Sequence, residues 1–333
     1  MPKRHGHLFE KMFTLEALHA AYLKARARKR KKSAIKTFER DLGANLQTLH
    51  TELMTGAYSP RPYLVFEVRE PKPRLIHAPH FRDVVVQQAM YAVLYPLVDT
   101  RLSFESYGCR KGKGTHKAAD RAQQFLRASP ADSYLLQLDI RKFFYRMDRD
   151  ILLTLWRRII KDDRVLALLS RFSEYPAVVG VPIGNLMSQL AALIYLNPLD
   201  HFIQRELKVT RYVRYVDDFI LFGFSRHEGL ALRDRITDWL STNLRLELSR
   251  WTLQPVKRGL NFVGFRTWRR TRFVRKHSLH TFSRALRSEC LPSLVSCLGH
   301  AKRTASMAHF LTRIREESNL MPLLPLSLTG AIA

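Results

Sequence analysis

A chain of 333 residues with 46% hydrophobic and 11% aromatic residues can bury a substantial core, which excludes a disordered tail. Its 56 Lys and Arg against 29 Asp and Glu give a formal net charge of +27; that excess calls for a polyanionic partner, most commonly nucleic acid, because each neutralised phosphate releases counterions. Cys109, Cys290 and Cys297 form no paired framework, residues 1–7 lack the apolar stretch of a secretory signal, and no run approaches the roughly 20 apolar residues of a membrane span, so the expectation is a cytoplasmic protein without a membrane partner.

In chain order, residues 8–56 read as helices, with apolar positions recurring at Leu15, Leu18 and Tyr22 and again at Ile35, Phe38, Leu42, Leu46, Leu49 and Leu53. The basic run 24–32, with Arg28, Lys29 and Arg30 at its centre, is either a solvated face or linker or a helix that grips phosphates. Residues 61–78 alternate as a β-hairpin, and 83–98 read as a helix. Residues 104–117 form a basic, Gly-rich loop before a helix from Lys117 to about Arg127. A short apolar strand at 135–140 carries one acid, Asp139, and helices fill 149–172. The turn at 180–185 leads into a helix to about Lys208. Residues 211–224 give the strongest hairpin signal, two β-rich runs around Asp217 and Asp218. A helix at 230–243, a strand near 246–248 and another at 260–265 follow, and from Thr267 the chain reads as basic and helical.

Two adjacent acids at a hairpin tip between apolar strands disfavour each other's ionisation, and a bound divalent cation resolves the conflict. The bland reading is an exposed Asp-Asp turn. Asp139 weighs against it, because an acid at the end of a second apolar strand, set beside the hairpin, would complete a three-carboxylate cluster. Such clusters hold two metal ions roughly 3.5–4 Å apart for in-line phosphoryl transfer. Mg²⁺ suits carboxylates that share it with substrate phosphates, and Mn²⁺ can stand in for it. Cys290, Cys297, His300 and His309 lack the C-x-x-C pair and tight His spacing of a zinc site.

Leu138-Asp139-Ile140-Arg141-Lys142-Phe143-Phe144 resembles the first palm motif of reverse transcriptases, and Tyr215-Val216-Asp217-Asp218 resembles their catalytic hairpin. The resemblance extends over about residues 60–310 and implies an α+β right-hand polymerase fold, with an antiparallel-sheet palm and a helical thumb. It implies that Asp139, Asp217, Asp218 and the backbone carbonyl of Ile140 bind two metal ions. Phe144 matches the steric gate that would collide with a ribose 2′-hydroxyl. Pro71-Lys72-Pro73-Arg74 is similar to the fingers motif, in which Lys72 and Arg74 would grip an incoming deoxynucleoside triphosphate. Residues 106–116 resemble a Gly-rich segment of bacterial members; Arg110, Lys111 and Lys113 would track template or primer phosphates. Phe262-Val263-Gly264-Phe265 is similar to the primer-grip turn.

A narrower likeness lies at Gly180-Val181-Pro182-Ile183-Gly184-Asn185-Leu186-Met187-Ser188-Gln189, where Ile183 stands in place of the usual Gln beside Gly184 in the nucleotide site. That segment, with residues 195–200 and 298–302, resembles the reverse transcriptases of diversity-generating retroelements. The resemblance implies error-prone copying at template adenines, a dedicated template RNA held as an RNA/cDNA duplex, and a small basic accessory protein. It divides the chain into an N-terminal extension (1–19), fingers (20–86 and 148–182), palm (87–147 and 183–268) and thumb (269–333). What remains is too short for an RNase H or endonuclease domain. Arg250-Trp251 stands where many relatives carry a Lys pair, and Arg is a poor acid. The rivals are a CRISPR-linked, antiphage or group II intron-like reverse transcriptase, an RNA-dependent RNA polymerase, and a non-catalytic RNA-binding scaffold on a polymerase fold. Phe144 argues against the RNA polymerase.

Overall fold

The computed structural model describes residues 4–69 and 73–330, so Lys72 lies outside the described residues. The chain divides into two compact units.

The first gathers Met1–Phe104, Ile140–Glu206 and Ile236–Arg250. Its helices begin and end where local chemistry dictates. Thr14 caps Leu15–Arg26 by accepting from the Ala17 N–H, Asp41 caps Leu42–Thr55, and Gly56, left-handed at φ 79°, ends the latter. Leu15–Arg26 packs on Phe81–Asp99, burying Leu18 and Tyr22 against a long apolar helix. The basic run does not continue as a helix: the helix stops at Arg26, and 27–32 is a turn with Arg28 at φ 61°. A row of like charges gives that stretch no apolar face to bury, whereas Arg26 is tied down by Glu39 (2.8 Å) and the Tyr22 hydroxyl (2.6 Å).

Strands β1 (Leu64–Val68) and β2 (Arg74–Ala78) form the expected antiparallel hairpin, paired from Leu64↔Ala78 to Val68↔Arg74. Asn185 caps helix Leu186–His201, whose last turn runs on as a π-helix at Phe202–Glu206.

The second unit gathers Glu105–Asp139, Leu207–Arg235 and Trp251–Ala333. Its main sheet uses β3 (Tyr134–Ile140), β4 (Tyr212–Tyr215), β5 (Asp218–Phe224) and β6 (Leu248–Pro255) in the order β4-β5-β3-β6. β5 is antiparallel to both β3 and β4. One face is covered by helix Thr115–Ala128: Ala118, Ala122, Phe125 and Leu126 meet Leu135, Val213, Ile220 and Phe222 in one buried cluster. β6 is longer and later than the strand expected near 246–248.

A second sheet, β7 (Leu260–Phe262), β8 (Phe265–Thr267) and β9 (Arg272–Val274), corrects the single strand expected at 260–265. Val263 and Gly264 both have positive φ (43° and 90°), the requirement of a two-residue hairpin turn, so the chain reverses between Phe262 and Phe265. β9 breaks the usual apolar alternation: Arg272 occupies a buried position, neutralised by Asp120 at 2.7 Å, while the apolar Phe273 is exposed. Helices Lys276–Arg287, Leu291–Ala301 and Ser306–Glu317 then close their own core, with Phe282 and Phe310 stacked at 3.8 Å. Among the described residues no helix is long and apolar enough to cross a membrane.

Candidate active site

Asp139, Asp217 and Asp218 all belong to the second unit. β3 and β5 pair so that Asp139 lies directly opposite Asp218. Residues opposite one another in an antiparallel pair point to the same face, with Cβ atoms about 4.5–5.5 Å apart. Tyr215↔Asp218 is the last pair of the β4–β5 hairpin, which leaves Val216 and Asp217 as its two-residue loop. Val216 has φ 57°, a costly conformation for a β-branched residue. Asp217 is thus at the tip, Asp218 at the first position of β5, and Asp139 at the adjoining strand end.

The Asp218 carboxyl is pushed up to about 7: burial is the main cause, and the neighbouring charges of Asp139 and Asp217 add to it. Gln137 and Arg275 act the other way. The Gln137 amide donates to both Asp218 oxygens (2.9 and 3.2 Å) and to the Asn261 carbonyl (3.0 Å), so it fixes the carboxylate's orientation. Gln137 was not singled out in the sequence. The signal was there, since it lies two residues before Asp139 on the same face of the strand.

Among the described residues no three His, Cys, Asp or Glu side chains converge as they stand on one ion position. Asp139 lies beside the hairpin, opposite Asp218, as the three-carboxylate arrangement requires. Neighbouring like charges repel, and a bound divalent cation would relieve that repulsion. The donor set is all carboxylate, with the pair at Asp139 and Asp218 on rigid strands, which fits a hard divalent ion such as Mg²⁺.

Phe144, Arg74, Ile183, Gly184 and Ile140 belong to the first unit. There three chain segments are laced by backbone hydrogen bonds. The Val181 N–H donates to the Phe144 carbonyl (2.8 Å), and the His77 N–H donates to the Ile183 carbonyl (2.7 Å). The Leu75 N–H donates to the Tyr145 hydroxyl (3.3 Å). Gly184 is obligatory: φ is 109°, and a Cβ would lie 2.9 Å from the Ile76 methyl. Phe143 is buried against Tyr195, whereas Phe144 stays half-exposed, and Arg74 projects from the exposed end of β2. Ile140 is buried at the end of β3. Asn185, where the turn passes into its helix, is fully buried; its amide donates to the Tyr63 hydroxyl and the Phe172 carbonyl (both 2.7 Å) while its oxygen caps the helix.

The candidate nucleic-acid residues differ among themselves. Arg28, Lys29 and Arg30 are exposed around an open depression of about 730 Å³ lined by Arg26 to Lys32 and Leu23. Lys111 is exposed, but Arg110 donates to the Ser106 carbonyl (3.1 Å) and Lys113 sits over the Tyr107 ring at 4.4 Å, both within their own loop.

The second unit thus presents acids at a strand end and at the adjoining hairpin tip of antiparallel strands. The family model for "Reverse transcriptase (RNA-dependent DNA polymerase)" matches residues 69–267, more than half of the chain, and the protein belongs to that family of RNA-directed DNA polymerases. Protein YkfC of Escherichia coli K12 is similar: 25% identical over 276 residues, 69% of this chain and 72% of that protein. The group II intron-encoded protein LtrA of Lactococcus lactis subsp. cremoris is 26% identical over 172 residues, 48% of this chain but 28% of LtrA. Among solved structures, telomerase from Candida albicans, in complex with a fragment of telomeric RNA, matches with a TM-score of 0.51 at 11% identity, over 78% of this chain and 54% of that one. At that identity the likeness concerns the fold, and it agrees with the α+β right-hand polymerase expected from the sequence.

Proposed function

We propose that this chain copies an RNA template into cDNA with Asp139, Asp217 and Asp218 as its metal-binding acids. The observation that carries the reading is the pairing of Asp139 with Asp218 across β3 and β5, with Asp217 at the adjoining tip. Two divalent ions bound there, with the Ile140 carbonyl as a further donor, would lower the pKa of a primer 3′-hydroxyl and offset charge developing on the triphosphate. Asp218 is held in register by Gln137, Arg74 is the cation for triphosphate oxygens, and Phe144 is the surface that excludes a 2′-hydroxyl. In this reading residues 20–86 and 148–182 are fingers, 87–147 and 183–268 palm, and 269–333 thumb. Primer extension on an RNA template with Mg²⁺ and deoxynucleotides tests it; a chain that binds RNA but never extends a primer is a scaffold instead.

The finer reading is a diversity-generating retroelement enzyme with a dedicated template RNA and a small basic accessory protein. It is supported by Ile183 in the 180–189 segment, which can pack but cannot hydrogen-bond a nucleotide. The likeness to YkfC and LtrA favours a second reading, a group II intron-like reverse transcriptase. Sequencing cDNA from one defined template separates the two. Errors concentrated opposite adenine support the first, and an even, low error rate supports the second.

A further inference from the structure

We propose that Arg214 and Gly108 are positioning residues that together fix the tip of the 215–218 hairpin, and with it the direction of the Asp217 and Asp218 carboxylates. The proposal rests on the polymerase reading above for what those carboxylates do.

Arg214 is a β4 residue with 1% of its surface exposed, an unusual place for an arginine. Its Nη1 donates to the Val216 carbonyl at 2.9 Å. Val216 is the loop residue with φ 57°, so the guanidinium bonds the one peptide whose orientation decides how the chain turns into Asp217. Nothing intrinsic favours that turn, because Val is a poor left-handed residue and neither loop position is glycine. The conformation has to be imposed from outside the hairpin.

The segment before the basic loop supplies the second constraint. Along β4, the Arg214 N–H donates to the Glu105 carbonyl and the Tyr107 N–H donates to the Arg214 carbonyl, both at 2.9 Å, as a parallel bridge at Ser106. That segment is anchored in turn, since the buried Glu105 carboxylate accepts from Arg121 Nε at 3.0 Å on helix Thr115–Ala128. Two residues beyond Ser106, Gly108 lies flat against the tip: a Cβ there would fall 2.5 Å from a Val216 methyl and 2.7 Å from the Val216 nitrogen. One side chain therefore holds the tip by its carbonyl while a bare glycine backbone sets the distance. This gives the Gly-rich loop a role apart from phosphate tracking: its first glycine makes room for the catalytic turn.

The test uses full-length Arg214→Met, which keeps bulk but loses the donor, Arg214→Lys, which keeps one donor, and Gly108→Ala. Extension kinetics, template affinity, melting temperature and Mn²⁺ binding followed by electron spin resonance are measured on each. The proposal expects kcat to fall about tenfold to a hundredfold in Arg214→Met and Gly108→Ala, the scale of a misplacement near 1 Å. Deoxynucleotide KM and RNA affinity should stay near wild type, Mn²⁺ binding should weaken in both variants, and Arg214→Lys should recover part of the loss. If Arg214→Met does not fold, Gly108→Ala alone carries the test. Wild-type kcat and Mn²⁺ binding in the folded variants would overturn the proposal, as would losses matching only the unfolded fraction. A failure of the polymerase reading is read separately, as absence of extension by the wild-type chain; the Mn²⁺ comparison still decides the positioning role.

Discussion

Phe144 and Phe143 are adjacent aromatics with different surroundings. Phe143 is 1% exposed and faces Tyr195, so it is core, whereas Phe144 keeps half-exposed surface and its carbonyl is bonded by Val181. Trimming Phe144 to alanine should therefore leave the fold intact and raise ribonucleotide incorporation, measured as the ratio of ribo- to deoxynucleotide extension. An unchanged ratio in a folded variant places the gate elsewhere. Ile183 has its backbone locked by His77, so its side chain can be exchanged without loosening the turn. Discrimination is a difference of transition-state energies, and one hydrogen bond is worth about 0.5–1.5 kcal/mol, so Ile183→Gln should improve accuracy opposite template adenine by about several-fold up to tenfold. Identical error spectra at comparable rates would leave Ile183 as packing. The acids were legible as residues because paired carboxylates between apolar strands have few structural uses. Gln137 and Gly108 have partners remote in sequence, which only the fold brings together, whereas Arg214 bonds Val216 two residues on and is hidden because nothing in the sequence tells a buried arginine from an exposed one.

At the scale of elements, strands and helices with strong periodicity were legible, and those whose signal depends on tertiary partners were not. The 211–224 hairpin and helix Phe81–Asp99 lie where the pattern put them. The 260–265 run is mostly apolar, and its reversal depends on backbone angles at Val263 and Gly264. The basic run 24–32 carried helix formers but no face to pack. Asp148 shows how one capping residue joins elements. It accepts from the Asp150 and Ile151 N–H groups (2.9 and 3.0 Å) and from Arg245 (2.6 Å), and its own N–H donates to the Tyr195 hydroxyl (3.0 Å). Burial alone would raise its carboxyl, but the bonds from Ile151, Arg245 and Asp150 outweigh that and hold it below the ordinary value. Arg245 is largely exposed and contributes little through solvent, so the cap dominates, and Asp148→Ala should cost about 1–2 kcal/mol in urea unfolding at pH 7. A carboxyl lowered on folding stabilises above its unfolded value, about 3.9, and loses that contribution as pH falls through its folded value. The gap between wild type and Asp148→Ala should therefore close in acid. A gap independent of pH between 7 and 2 would mean the ionised cap is not its source.

For the molecule as a whole, the charge of +27 was the earliest indication of a nucleic-acid partner, and it bears on affinity rather than chemistry. Neutralising Arg28, Lys29 and Arg30 should weaken RNA binding and flatten its salt dependence, by about one unit of log–log slope for each phosphate that is no longer neutralised. A slope that does not move makes the run a solvated turn. Chemistry and charge can thus be separated, and the most direct test of the central claim does so with one substitution. Asp217→Asn removes a charge from the hairpin tip without touching the basic surface, and extension and RNA affinity are measured on the same preparation with Mg²⁺. The expected result is loss of cDNA synthesis with RNA affinity near wild type. Synthesis near the wild-type rate would contradict it and remove Asp217 from the catalytic site.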